Sequence, residues 1–224
     1  MKIGTQTINP TKIICVGTNY KDHIEETGLS VPKEPVLFPK TLNCLILNNE
    51  SIVYPKFLYN QRKYNRVDYE VELAFIIKDK CKNVPLNEIN EHILGYTVFN
   101  DVTARKMQAK DIIAKLPWFR SKSFDTFGPI GPRIAEIYEI KDPHNLNIEL
   151  KVNGETKQSS NTMYLLFKVP ELLEYISKLF TLEPGDIIAT GTPSGIGPMK
   201  PGDVIEAIIE KIGTLKNKVI LEGG

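Results

Sequence analysis

The chain has 224 residues, 42% hydrophobic and 25% charged, the composition of a globular protein with a substantial buried core, which excludes a disordered chain. Its 28 basic residues against 27 acidic ones leave a net charge of +1, so no overall field recruits nucleic acid or an anionic membrane. Uninterrupted apolar stretches, residues 73–77 among them, fall far short of the roughly 20 residues of a membrane-spanning helix, and residues 1–7 hold no apolar region of signal-peptide length; the expected location is the cytoplasm.

In chain order, residues 1–12 read as a lead-in and Ile13-Ile14-Cys15-Val16-Gly17 as an apolar strand ending in glycine. A short helix is expected over residues 22–27. Residues 67–77 alternate as one strand, and residues 96–99 are β-rich. A helix is expected over residues 103–115 with Ala104, Met107, Ile112 and Ile113 inward. A strand-like segment around Lys122 and a Gly/Pro loop at residues 128–132 follow it. Residues 146–152 form a strand running into Asn153-Gly154, a strong hairpin pair. Over residues 170–180, Leu172, Leu173, Ile176, Leu179 and Phe180 share one helical face, and Pro170 suits the first turn. Strands at residues 187–190, 204–209 and 218–221 complete the set, with a Gly/Pro-rich loop at residues 191–198. Strands dominate and no repeat or linker interrupts them. The expectation is one domain over residues 1–224 of β-rich, mixed α+β class, a rolled sheet or barrel with a few short peripheral helices. Cys15, Cys44 and Cys81 are odd in number and far apart, giving neither a disulfide framework nor a C-x-x-C pair.

The chemistry concentrates in Val67-Asp68-Tyr69-Glu70-Val71-Glu72-Leu73. Residues two apart on a strand share a face, so Asp68, Glu70 and Glu72 point the same way, and that face continues into Ala74 and Ile76, which belong in a core. Like charges so placed repel, and desolvation drives them to protonate; a hard divalent cation such as Mg²⁺, Mn²⁺ or Ca²⁺ removes the conflict. The plain alternative is a solvated edge strand. Asp101, at the end of the next strand, supplies a further acid or caps the helix that follows. On that helix Arg105 and Gln108 share a face, where Arg105 suits a substrate carboxylate or pairs with any nearby acid. Lys122 is placed to stabilise an oxyanion or is a surface lysine. His23, with Glu26 three residues on, can polarise water, whereas His92 and His144 lie in polar stretches and read as surface residues. The loop Thr190-Gly191-Thr192-Pro193-Ser194-Gly195 lacks the order of a P-loop and reads as a tight turn whose hydroxyls and N–H groups are available to an anion.

Together and in this order, Asn19-Tyr20-Lys21-Asp22-His23, Asp68-Tyr69-Glu70-Val71-Glu72-Leu73, Asn100-Asp101-Val102-Thr103-Ala104-Arg105, Lys122-Ser123-Phe124-Asp125 through Gly131-Pro132, and Thr190 to Gly195 resemble the fumarylacetoacetate hydrolase family. The likeness runs from about residue 13 to the C-terminus. It implies a rolled, barrel-like β fold, usually a homodimer. It also implies Mg²⁺ or Mn²⁺ (Ca²⁺ in crystals) held by Glu70, Glu72 and Asp101, with Lys122, Arg105, Gln108 and Thr192 meeting the substrate. His23 with Glu26 would be the general-base pair on a mobile lid over about residues 17–30. Asp68 stays unassigned, and Pro39, where relatives often carry an apolar residue, leaves the pocket edge near Lys40 open to change.

The activity so implied is that of a metal-dependent enzyme on 2-oxo or 2,4-dioxo acids, working through an enolate stabilised at the metal. Acylpyruvate C–C hydrolysis or oxaloacetate decarboxylation is expected first. Isomerisation or tautomerisation of a 2-hydroxy-dienoate or of oxaloacetate is the alternative within the class. A non-catalytic, cation-dependent module that binds small acids is the alternative outside it.

Overall fold

The computed structural model describes residues 1–22 and 30–224. His23, Glu26 and half of the expected lid, residues 23–29, therefore lie outside the described residues. A seven-stranded sheet runs in the order Val36–Lys40, Ile13–Gly17, Ile187–Ala189, Val71–Ile77, Ile93–Asn100, Gly128–Glu136 and Leu45–Ile46. A five-stranded sheet runs Glu155–Asn161, Asn147–Val152, Val204–Ile209, Gly213–Leu221 and Ser51–Tyr54. The sheets curl over one apolar core, and short helices sit outside them, the β-rich rolled arrangement the sequence implies.

Local chemistry accounts for the layering. Val71–Ile77 is buried on both faces, so the strand has no polar side to offer water, and β-branched and aromatic residues fill it. Val204–Ile209 alternates instead, with Ile205, Ala207 and Ile209 buried, the pattern of a sheet with one dry face. Asn153 (φ 52) and Gly154 (φ 82) both adopt left-handed backbone, as a two-residue hairpin turn of this type requires. Among the described residues, no helix is long and apolar enough to cross a membrane.

Several expectations are corrected, and the Gly/Pro segment at residues 128–132 is the start of the strand Gly128–Glu136, not a loop. The strand over residues 67–77 is two: Val67–Tyr69 joins a three-stranded sheet and Val71–Ile77 the seven-stranded one, with the break at Glu70. There the Asn100 side chain accepts the Glu70 N–H at 2.9 Å, replacing a ladder bond. The helix over residues 103–115 spans only Arg105–Ile113, because Thr103–Ala104 first pairs with the Val67–Tyr69 strand. Its buried face is Met107, Gln108 and Asp111 while Ile112 and Ile113 are exposed; the inward Asp111 is neutralised by Arg120 Nε at 3.0 Å, a pairing that apolar periodicity cannot anticipate. Lys122 ends a short helix, Phe119–Lys122, not an extended segment. The helix Val169–Leu179 buries Leu172, Leu173 and Ile176 as expected. Leu179 and Phe180 are half exposed, since the chain turns extended at Phe180 (φ −124, ψ 146) and leaves the core.

Candidate metal centre

Glu72 is the second residue of Val71–Ile77, Asp101 follows Ile93–Asn100, and these strands pair with Val71 opposite Asn100 and Glu72 opposite Phe99. That register, with the Asp101 N–H donating to the Glu70 carbonyl at 2.8 Å, brings Glu70, Glu72 and Asp101 together. One carboxylate oxygen from each lies within 4.8 Å of the others, and all three residues are buried. Three convergent carboxylates form an all-oxygen set of the kind that holds a hard divalent ion.

Cations surround two of the three. Lys122 Nζ donates to Glu70 Oε2 at 2.8 Å and also to Asp101 Oδ2. Lys40 Nζ donates to Asp101 Oδ1 at 2.7 Å and to the Val102 carbonyl at 3.1 Å. Arg105 donates to Glu70 and, through Nε at 2.9 Å, to Asp68. Glu72 stands apart. Its Oε2 accepts the Gly191 N–H at 2.9 Å, and among the described residues no basic side chain forms a salt bridge with it. Burial first, then the neighbouring Asp101 and Glu70 charges, push its carboxyl well above the usual range, the response of a desolvated acid beside like charges. A divalent cation among the three oxygens would relieve that conflict, so the residues fit one. For Lys122, burial acts to lower the ammonium, but Asp101 and Glu70 outweigh it and hold it above its ordinary value.

Glu70, Glu72, Asp101 and Lys122 floor a cavity of about 280 Å³ that Arg105, Gln108, Thr192, Phe38 and Trp118 also line. Arg105 Nη1 donates to Gln108 Oε1 at 2.5 Å, so the expected substrate-facing pair shares one wall. Thr192 also lines the cavity, and its Oγ1 accepts from Gln158 Nε2 at 2.9 Å. Asp68 does not join the carboxylate cluster, because the break at Glu70 turns it away; Arg66 and Arg105 bind it instead. Asp101 does not cap the following helix, whose N-cap is Ala104.

The sequence reading missed Lys40 as a site residue, along with Asn100 and Gln158. Lys40 stands on an edge strand where a lysine normally faces water; only its exposure of 3% reveals it. Two histidines are corrected as well. His92 Nδ1 meets Asp79 Oδ1 at 2.5 Å, and His144 Nε2 accepts the Val169 N–H at 3.1 Å, so each is a half-buried structural partner. All three cysteines are buried and unbridged.

Comparison with known proteins matches this architecture. The model of the fumarylacetoacetate (FAA) hydrolase C-terminal family covers residues 12–220. An uncharacterized protein of Methanocaldococcus jannaschii is 52% identical over 97% of this chain and 86% of its own length. A mitochondrial oxaloacetate tautomerase of Xenopus laevis is 41% identical over 95% of this chain, which spans 66% of that protein. The crystal structure of fumarylpyruvate hydrolase from Pseudomonas aeruginosa with Mn²⁺ and pyruvate superposes with a TM-score of 0.89 at 31% identity, covering 98% of this chain and 94% of that one. The chain belongs to the fumarylacetoacetate hydrolase family.

Proposed function

We propose that the protein is a Mg²⁺- or Mn²⁺-dependent enzyme that cleaves acylpyruvates or decarboxylates oxaloacetate, with Glu70, Glu72 and Asp101 as the metal ligands. The observation that carries this reading is the buried carboxylate triad with Lys122 across two of its members, at the floor of a cavity walled by Arg105, Gln108 and Thr192. The Mn²⁺ and pyruvate of the Pseudomonas relative support it.

A bound divalent ion supplies Lewis acidity to a 2-oxo acid. The side chains do the rest. Arg105 and Gln108 orient the substrate carboxylate, and Thr192 donates a hydrogen bond to the substrate. The Lys122 ammonium stabilises the negative charge that collects on the C2 oxygen in the enolate of pyruvate. In hydrolysis, water activated by His23, whose basicity Glu26 would raise, adds to the C4 carbonyl. The C3–C4 bond breaks, its electron pair passes to the enolate, the acyl fragment leaves as a carboxylic acid, and C3 takes a proton. In decarboxylation CO₂ departs instead, without water. The Xenopus relative favours a second reading, proton transfer at C3 of oxaloacetate between keto and enol forms. The family resemblance further implies a homodimer, which sedimentation measures directly.

The test is turnover of acylpyruvates and oxaloacetate with and without added Mg²⁺ or Mn²⁺, for wild type and Lys122→Ala. Loss of Lys122 should lower kcat by roughly 10²–10³, the scale of one oxyanion-stabilising donor. His23→Ala should depress hydrolysis more than decarboxylation. Cation-dependent binding of these acids without turnover would replace the enzyme by a binding module, and cation-independent turnover would remove the triad from the chemistry.

A further inference from the structure

The hairpin that carries the carboxylate triad at one end carries a second, chemically different cluster at the other. Asp79 and Cys81 lie in the connection after Val71–Ile77, and His92 is the last residue before Ile93–Asn100. One ligand atom from each of Asp79, Cys81 and His92 lies within 4.8 Å of the other two. The seven residues of Val71–Ile77 separate the two clusters by about 20 Å at the rise of an extended strand.

The backbone around this second cluster is fixed. Cys81 exchanges both of its main-chain bonds with Leu182, at 3.0 and 2.9 Å, while the Lys78 N–H donates to the His92 carbonyl at 2.9 Å. Cys81 is buried, whereas the Asp79 and His92 side chains are 49% and 23% exposed, leaving a path from solvent. The donor set is one sulfur, one imidazole nitrogen and one carboxylate oxygen. Hard ions avoid thiolates, and mixed S/N/O sets select Zn²⁺ in tetrahedral geometry.

We infer that Asp79, Cys81 and His92 form a Zn²⁺ site, distinct from the carboxylate centre, that ties the residue 78–92 connection across its own base. Binding replaces the His92–Asp79 contact with two bonds to the metal and releases the Cys81 thiol proton. The inference does not depend on the reaction proposed above.

Protein stripped of metal by a chelator is titrated with Co²⁺ as a spectroscopic probe and then with Zn²⁺ as competitor. The expected result is a thiolate-to-cobalt charge-transfer band that Zn²⁺ bleaches, that disappears in Cys81→Ser, and that persists in Glu72→Gln and in Cys15→Ser. Asp79→Asn and His92→Gln, at partly exposed positions, should each weaken Zn²⁺ binding. For His92→Gln the loss should exceed about 100-fold, since even an outer-sphere partner of a metal ligand is worth roughly 10–100-fold. No band in the wild type, an unchanged band in Cys81→Ser, or undiminished Zn²⁺ affinity in His92→Gln would each overturn the assignment.

Discussion

Lys40 shows what a single buried charge does here. Its Nζ is shared between Asp101 and the Val102 carbonyl, so it holds the strand end that presents Asp101. Lys40→Met should leave Asp101 short of a partner and cost about 3–5 kcal/mol, the usual penalty for breaking a buried ion pair. Urea unfolding measures it, and a loss below about 1 kcal/mol would show that the pair behaves as a solvated one. The contrast with Glu70 and Glu72 shows what a sequence can reveal. Two acids on the face that continues into Ala74 and Ile76 declare their burial through their neighbours, whereas Lys40 follows Leu37-Phe38-Pro39 on an edge strand and looks solvated until its tertiary partner is seen.

At the scale of elements, Asp186 is the residue that ties the N-terminal segment to the central sheet. Its carboxylate accepts from the Thr11 N–H and hydroxyl, each at 2.8 Å, the Lys12 N–H at 3.1 Å and the Glu183 N–H at 2.8 Å, and it pairs with Lys12 Nζ at 2.5 Å. This anchors the start of Ile13–Gly17 beside Ile187–Ala189, its parallel neighbour. Burial acts to raise the Asp186 carboxyl, but the Glu183 N–H, Lys12 and Thr11 outweigh it and hold it below the usual range. A depressed carboxylate binds fewer protons in the folded state, so its contribution is complete above the unfolded value of about 3.9 and is lost as pH falls through the folded one. Asp186→Asn should therefore cost about 1–3 kcal/mol at neutral pH, and the gap from wild type should close in strong acid. A gap independent of pH would remove the charge from the explanation. Strands such as Ile13–Gly17, Asn147–Val152 and Val204–Ile209 were legible from apolar pattern and turn residues, Asn153-Gly154 above all, whereas Val36–Lys40, Ser51–Tyr54 and Gly128–Glu136 were not. The break at Glu70 was not, because period-two alternation passes straight through it and only the side chain of Asn100 marks where the chain changes sheets.

For the whole molecule, the proposed ion at the triad would link the two central strands and stabilise the native state by mass action. At a cation concentration 100 times Kd the gain is about 2.7 kcal/mol, or a rise in Tm of about 5–10 °C for a chain of this size. Calorimetry with and without Mn²⁺ should show that rise in wild type and lose it in Glu72→Gln; an equal rise in the variant would place the stabilising ion elsewhere. The overall class was readable because motifs scattered over the chain converge only in this topology, while the inward polar face of Arg105–Ile113 was hidden by reliance on apolar periodicity. The strand that changes sheets at Glu70 carries a further consequence. Its carboxylates are set by main-chain pairing, Val71 opposite Asn100, so substitutions at other residues lining the cavity, Thr18, Ala109, Ile112 or Ile196, should reshape the space without disturbing Glu70, Glu72 and Asp101. On the proposed function, substrate preference and ion affinity would in that sense be separately tunable, and an engineer could diversify the first by saturation mutagenesis of these positions while leaving the second intact.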